Sequence, residues 1–218
     1  MTEKKKKKKM VKEFKRIEAV SFFGFADAKE GGELYKEARK VACLMAKRGV
    51  TIVNGGGPGV MKAATEGAHD GGGRAEIATF YPEHIENFEG KDEGNKADKE
   101  VVTKNYLERT LKLMEMGNAY VVFNGGTGTV SEFGMAWGLA KLYLGHHKPL
   151  ILYGKFWEKI MKSLVENMKI RPLALKAYKI VDSPEEAVKA LWEYELALRK
   201  GMKNNGKGKK TGEDAFIN

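Results

Sequence analysis

The sequence predicts a single α/β domain built on a parallel sheet with helices on both faces. Three observations carry that expectation. Short β-branched runs alternate with longer segments of helical period through the middle of the chain, the pattern of βαβ units. Two glycine-rich loops each stand where a strand hands over to a helix. At 218 residues and 42% hydrophobic, the chain is long enough for one well-formed core.

The first strand is expected over residues 19–23, followed by a helix over 32–48 with Leu34, Ala38, Val41 and Met45 at helical spacing. A second strand over 50–54 runs into Gly55-Gly56-Gly57-Pro58-Gly59, and a helix over 60–70 stops at Gly71-Gly72-Gly73. A third strand over 75–80 is closed by Pro82. Residues 83–100 are charged and irregular, which suits a lid or a flexible insertion. A short strand near Val101-Val102 precedes a helix over 105–117, packed through Leu107, Leu111 and Met114. The strand over 119–123 leads into Asn124-Gly125-Gly126-Thr127-Gly128-Thr129, with a helix over 130–144 beyond it. Further strands are expected over 149–153 and near Ile180-Val181, and helices over 156–168 and 184–199. Asp182-Ser183-Pro184 is a good start for the last of these, a polar cap followed by proline in the first turn.

Charge divides the chain into three parts. Residues 1–16 carry a net +7 and residues 199–218 a net +4, which leaves about −1 on residues 17–198. The two ends are expected to be disordered basic segments, and the domain between them is nearly neutral. That balance argues against a specific nucleic-acid role. No apolar run approaches the ~20 residues of a membrane span, and the basic start lacks the apolar stretch of a secretory signal. Cys43 is the only cysteine, so no internal disulfide can form. The four histidines, His69, His84, His146 and His147, show no metal-site spacing, and His146-His147 is expected as an exposed pair in a turn. A cytoplasmic protein is expected, with no membrane partner, metal or cofactor.

The chemistry is expected at the two glycine loops. Glycines let backbone approach an anion closely, and the helix that follows offers unpaired N–H groups and the positive end of its dipole. Thr127 and Thr129 add hydroxyl donors. Neither loop ends in Gly-Lys-Ser/Thr, and Gly24 has no partners at dinucleotide-fingerprint offsets, so neither ATP hydrolysis nor dinucleotide redox chemistry is supported. Glu132 falls three residues after Thr129, where a phosphate on the loop would bring a sugar beside it. From spacing alone Arg109 reads most simply as a solvated cation near Glu108.

The segment from Arg109 to Glu132 resembles the Lonely Guy (LOG), or lysine decarboxylase-like, family. Its hallmark is an arginine on a helix, a strand, and then Pro-Gly-Gly-x-Gly-Thr-x-x-Glu. Here that element reads from Asn124 through Gly125, Gly126, Thr127, Gly128 and Thr129 to Glu132, with the same arginine-to-loop spacing. Val53–Met61 is similar to the family's upstream triple-glycine element, and the likeness extends over about residues 17–195.

The resemblance implies a Rossmann-like fold and hydrolysis of the N-glycosidic bond of a nucleoside 5′-monophosphate, AMP or a cytokinin-like nucleotide. It implies Arg109 and Glu132 as the catalytic pair, with Gly55, Gly56, Gly57, Gly125, Gly126, Thr127, Gly128 and Thr129 around phosphate and nucleotide. It also implies a homodimer or larger homo-oligomer. Two departures stand out: the family proline is Asn124, and its Met-His-x-Arg-Lys run is Tyr106-Leu107-Glu108-Arg109-Thr110. The alternative is a non-catalytic nucleotide or molybdenum-cofactor (pterin) carrier or sensor of the same fold.

Overall fold

In the computed structural model, residues 13–82, 91–145 and 147–204 are described, and they build one seven-stranded sheet in the order β4-β3-β2-β1-β5-β6-β7. The strands are β1 Ala19–Phe23, β2 Thr51–Asn54, β3 Ala75–Phe80, β4 Lys99–Thr103, β5 Ala119–Val122, β6 Leu150–Tyr153 and β7 Lys179–Val181. Every neighbouring pair is parallel. The helices are α1 Glu33–Ala46, α2 Val60–Asp70, α3 Tyr106–Met116, α4 Thr127–Leu142, α5 Phe156–Asn167 and α6 Pro184–Asn204. A 3-10 turn over Pro172–Lys176, which the sequence pattern did not mark, joins α5 to β7.

Alternation along the strands decides which helix covers which face. Val20 and Phe22 of β1 point into a core shared with α1, α2 and α6. Phe23 and Val53 point into a second core shared with α3, α4 and α5. Because both faces are covered, the inner strands are apolar at nearly every position, as parallel sheets require.

β1 pairs with β2 on one side and with β5 on the other. The order of connection reverses between β1 and β5, so loops leaving their carboxyl ends diverge to opposite faces and leave a crevice between them.

Three boundaries differ from the sequence expectation by three residues or more. Helix α4 starts at Thr127 rather than at residue 130. Helix α6 runs on through Asn204 instead of ending near Arg199. At the other end, Phe14 is buried and meets Trp192 edge-on at 5.3 Å, so the fold begins before residue 17. The Lys4–Lys9 run, residues 83–90, His146 and the chain after Asn204 lie outside the described residues. His147 is half-buried rather than exposed, edge-on to Tyr194, and its burial lowers its pKa.

Candidate active site

The two loops at the switch point are stitched together by backbone. Phe25, just past β1, donates its N–H to the Asn124 carbonyl at 2.9 Å, and its own carbonyl accepts the Val60 N–H at 3.0 Å. A Cβ on Gly125 would collide with Thr129 and stand 3.0 Å from the Gly24 carbonyl carbon, so the tight turn into α4 needs glycine there.

Helix α4 then opens on a bare N-terminus. Its N-cap is Gly126, which brings no side-chain cap, and its first turn holds no acidic residue. The first helical bond is Val130 N–H to the Gly126 carbonyl at 3.0 Å. The N–H groups of Thr127, Gly128 and Thr129 therefore have no partner within the helix, and they sit at its positive end. Together with the Thr127 hydroxyl they form a cradle for an anion.

Arg109 and Glu132 face this cradle from α3 and α4. Both are 6% exposed. The arginine is gripped by main chain: Nε donates to the Ala78 carbonyl and Nη2 to the Gly55 carbonyl, each at 3.2 Å. Its Nη1 lies 3.7 Å from Glu132 Oε1. Burial pushes the Glu132 carboxyl up to about 7, while Arg109 pulls the other way. A carboxyl poised there holds or gives up a proton near neutrality. Because α4 starts at Thr127, Glu132 stands in the second turn, not in the first turn that the sequence suggested. Helical rotation turns it inward towards Arg109.

These groups line one cleft of about 360 Å3 at the switch point. Of the sequence-derived candidates, Gly55, Arg109, Gly126, Thr127, Gly128, Thr129 and Glu132 all border it. Gly56 and Gly57 do not. They are buried beneath it, with the Gly56 N–H on Asn54 Oδ1 at 2.8 Å and the Gly57 carbonyl accepting from Asn95 Nδ2 at 2.9 Å. Gly125 forms the turn and does not border the cleft. The triple-glycine loop thus serves a cation: a Cβ on Gly55 would collide with the Arg109 guanidinium.

Phe25, Ala26 and Asp27 line the cleft but were not among the sequence-derived site residues, nor were Met61 and Tyr106, which the sequence named only as parts of the family elements. Tyr106 had a usable signal, since it lies one helical turn before Arg109. Its hydroxyl is 3.0 Å from Ser131 Oγ, and its ring lies 6.0 Å from the Arg109 guanidinium carbon. Trp137 is partly buried, stacked on Phe133 at 5.4 Å and bonded through Nε1 to the Ala174 carbonyl, so it belongs to the core beneath α4. No group of His, Cys, Asp or Glu among the described residues could hold a metal ion. No helix among them is long and apolar enough to cross a membrane.

A parallel α/β sheet with a cleft at its switch point, a bare helix N-terminus on one wall and a buried Arg–Glu pair beside it, defines a Rossmann-like domain. Residues 61–191 match the family model described as "Possible lysine decarboxylase", and the chain belongs to that family, the Lonely Guy family. A cytokinin riboside 5′-monophosphate phosphoribohydrolase of Mycobacterium tuberculosis is 30% identical over 168 residues, which cover 72% of this chain and 85% of the relative. The Mycobacterium marinum protein of the same name is 28% identical over 165 residues, with the same two coverages.

Among solved structures, the molybdenum cofactor binding protein from Rippkaea orientalis superposes with a TM-score of 0.61 at 22% identity, over 82% of this chain and 98% of that one. The molybdenum cofactor carrier protein of Chlamydomonas reinhardtii gives a TM-score of 0.53 at 22% identity, over 84% and 99%. At such identities the likeness concerns the fold.

Proposed function

We propose that the chain is a nucleoside 5′-monophosphate phosphoribohydrolase, releasing free base and ribose 5-phosphate. The observation that carries this reading is the buried Arg109–Glu132 pair, opening into the same cleft as the uncapped start of α4. The two mycobacterial relatives, named for this reaction, support it.

The substrate phosphate sits on the N–H groups of residues 127–129, which lays the ribose against Glu132. As the C1′–N bond breaks, positive charge grows on the sugar, and the Glu132 carboxylate stabilises it. Water adds its oxygen to C1′. Glu132 takes one proton from that water and returns it to the departing nitrogen of the base, so the carboxyl needs a pKa close to neutral. Arg109, held by two carbonyls, contributes a fixed positive charge that keeps part of the Glu132 population ionised.

The test is a panel of nucleoside 5′-monophosphates, with free base and ribose 5-phosphate followed by chromatography. Base release is expected from the wild-type chain, with a fall of at least ~100-fold in Glu132→Gln and in Arg109→Ala. Unchanged release in Glu132→Gln would sink the mechanism. A second reading is a carrier that binds a phosphorylated nucleotide or pterin without cleaving it. The fold shared with molybdenum cofactor proteins, and Leu107 and Thr110 in place of the family's histidine and lysine, support it. Tight binding of one nucleotide of that panel, or of a pterin added beside it, with no base released selects it.

The proposal includes a homo-oligomer. Val130, Gly134, Gly138 and Leu142 recur every four residues on α4, all exposed and none polar, and Leu107 and Leu111 of α3, which spacing had expected to pack, are exposed as well. Glycine hollows and leucine knobs on one molecule are the elements of a self-complementary contact.

A further inference from the structure

Resting on the hydrolase reading, we propose that Asn95 is a positioning residue for Arg109, acting through the triple-glycine loop. The Arg109 guanidinium owes half of its main-chain grip to one carbonyl, that of Gly55. Gly55 starts a loop that has little to hold itself in place, since glycines contribute no side chains.

The structure shows what holds it. Asn54, at the end of β2, accepts the Gly56 N–H at 2.8 Å and donates to Thr65 Oγ1 at 2.9 Å. From the far side, Asp92 N–H donates to the Gly56 carbonyl at 3.0 Å. Asn95 Nδ2 donates to the Gly57 carbonyl at 2.9 Å and to Asn54 Oδ1 at 3.3 Å. The Asn95 side chain thus bonds both the loop and the residue that anchors the loop to the sheet.

Its setting is unusual for a surface segment. Its neighbours Glu93, Gly94 and Lys96 are exposed, yet Asn95 itself is buried. The turn that inserts it is built for the purpose. Asp92 Oδ1 accepts the Gly94 N–H at 2.8 Å, and the Asp92 carbonyl accepts the Asn95 N–H at 2.9 Å. Asn95 Oδ1 meets no hydrogen-bond partner among the described residues. A buried amide oxygen left unpaired is a poor way to stabilise a fold. Its role lies with the Nδ2 group, which pins the loop from above while the same loop grips Arg109 from below. The irregular stretch that the sequence suggested as a lid or a flexible insertion therefore acts, in its described part, as a latch.

The experiment compares Asn95→Ala and the near-isosteric Asn95→Leu, alone and combined with Arg109→Ala, with AMP as the probe. A loss of about 10-fold in kcat is expected, with KM within about threefold. In the Arg109→Ala background the Asn95 change is expected to remove nothing further, because its target is gone. A second readout needs no turnover: carbon-13 titration of the Glu132 carboxyl, assigned by its disappearance in Glu132→Gln. A displaced arginine leaves Glu132 harder to ionise, so its midpoint moves up in both Asn95 variants.

Independent, multiplying losses in the double variant overturn the proposal. So does an unchanged Glu132 midpoint in folded Asn95 variants, or failure of both variants to fold, since Asn95 would then serve only the fold. If the wild-type chain releases no base, the hydrolase reading falls, and the titration still decides the role of Asn95.

Discussion

Glu132 is a carboxyl whose surroundings penalise its charge. Its pKa lies near 7 in the folded chain, through burial, against about 4.5 for the ordinary group. Between those values the folded state holds a proton that the unfolded state has lost, so stability falls as pH rises from about 4.5 to about 7. Above that window the penalty is fully present, on the order of 3 kcal/mol at ~1.4 kcal/mol per pKa unit. Glu132→Gln removes the charge and keeps the shape, while the amide's own burial offsets part of the gain. The variant is therefore expected to be more stable than wild type by about 1–3 kcal/mol at pH 8, and near-neutral in effect below pH 4. Denaturant unfolding at the two pH values checks this, and a destabilised variant at pH 8 would mean that Glu132 supports the fold.

At this scale spacing put Glu132 beside a loop but left Arg109 as a surface cation, because its partners are main-chain carbonyls that no side-chain pattern announces; only the family resemblance joined the two. The resemblance also set Gly56 and Gly57 around phosphate and nucleotide, whereas they lie beneath the cleft. A glycine run reads the same whether its backbone approaches an anion or, as here, a guanidinium and a buried asparagine.

Elements whose signal was local matched their ranges. Strands β1 and β3 and helix α2 lie where residue type and punctuation put them. Helix α4 started early because its first turn is Thr-Gly-Thr, poor helix formers that the strand end and the Gly126 N-cap hold in place regardless. Helix α6 carries the contact that ties the first described residues to the fold. The Glu195 carboxylate is fully buried and accepts the N–H groups of Lys15, Arg16 and Ile17 at 2.9–3.2 Å, with Arg199 Nε at 2.6 Å. A glutamate about 180 residues away from its partners leaves no periodicity to read.

Burial pushes the Glu195 carboxyl up, but those N–H donors and Arg199 outweigh it and hold the pKa below the ordinary value. Stability from this group is present above the ordinary carboxylate range and is lost as pH falls through the lowered pKa, the opposite sense to Glu132. Glu195→Ala strands three N–H groups and a guanidinium, at a cost of about 3 kcal/mol. A drop of roughly 6–12 °C in Tm at pH 7 is expected. A drop under ~2 °C would show that the segment before β1 is not tied to the rest of the fold.

For the whole molecule, the order of strands decides where chemistry can occur. The reversal between β1 and β5 opens one cleft, and the helices beside it, α3 and α4, carry both Arg109 and Glu132 and the apolar stripe. Val130 and Leu142 flank Gly134 and Gly138 on one water-facing row of α4, an apolar face that a second copy would cover. The hollows at Gly134 and Gly138 have open space above them. Leucines at 107 and 111 are of a size to fill such hollows across a twofold axis.

The assembly would then brace the two helices on which the relative placement of Arg109 and Glu132 depends. Light scattering after size exclusion is expected to give at least twice the chain's 24.2 kDa for wild type. Gly134→Lys or Leu111→Glu places a charge in the contact and is expected to shift the mass to 24.2 kDa with the circular dichroism spectrum intact. Base release per chain should fall with it, because a freed α4 loses its bracing against α3. A wild-type chain that elutes as a monomer would remove the oligomer and leave the apolar stripe without an occupant.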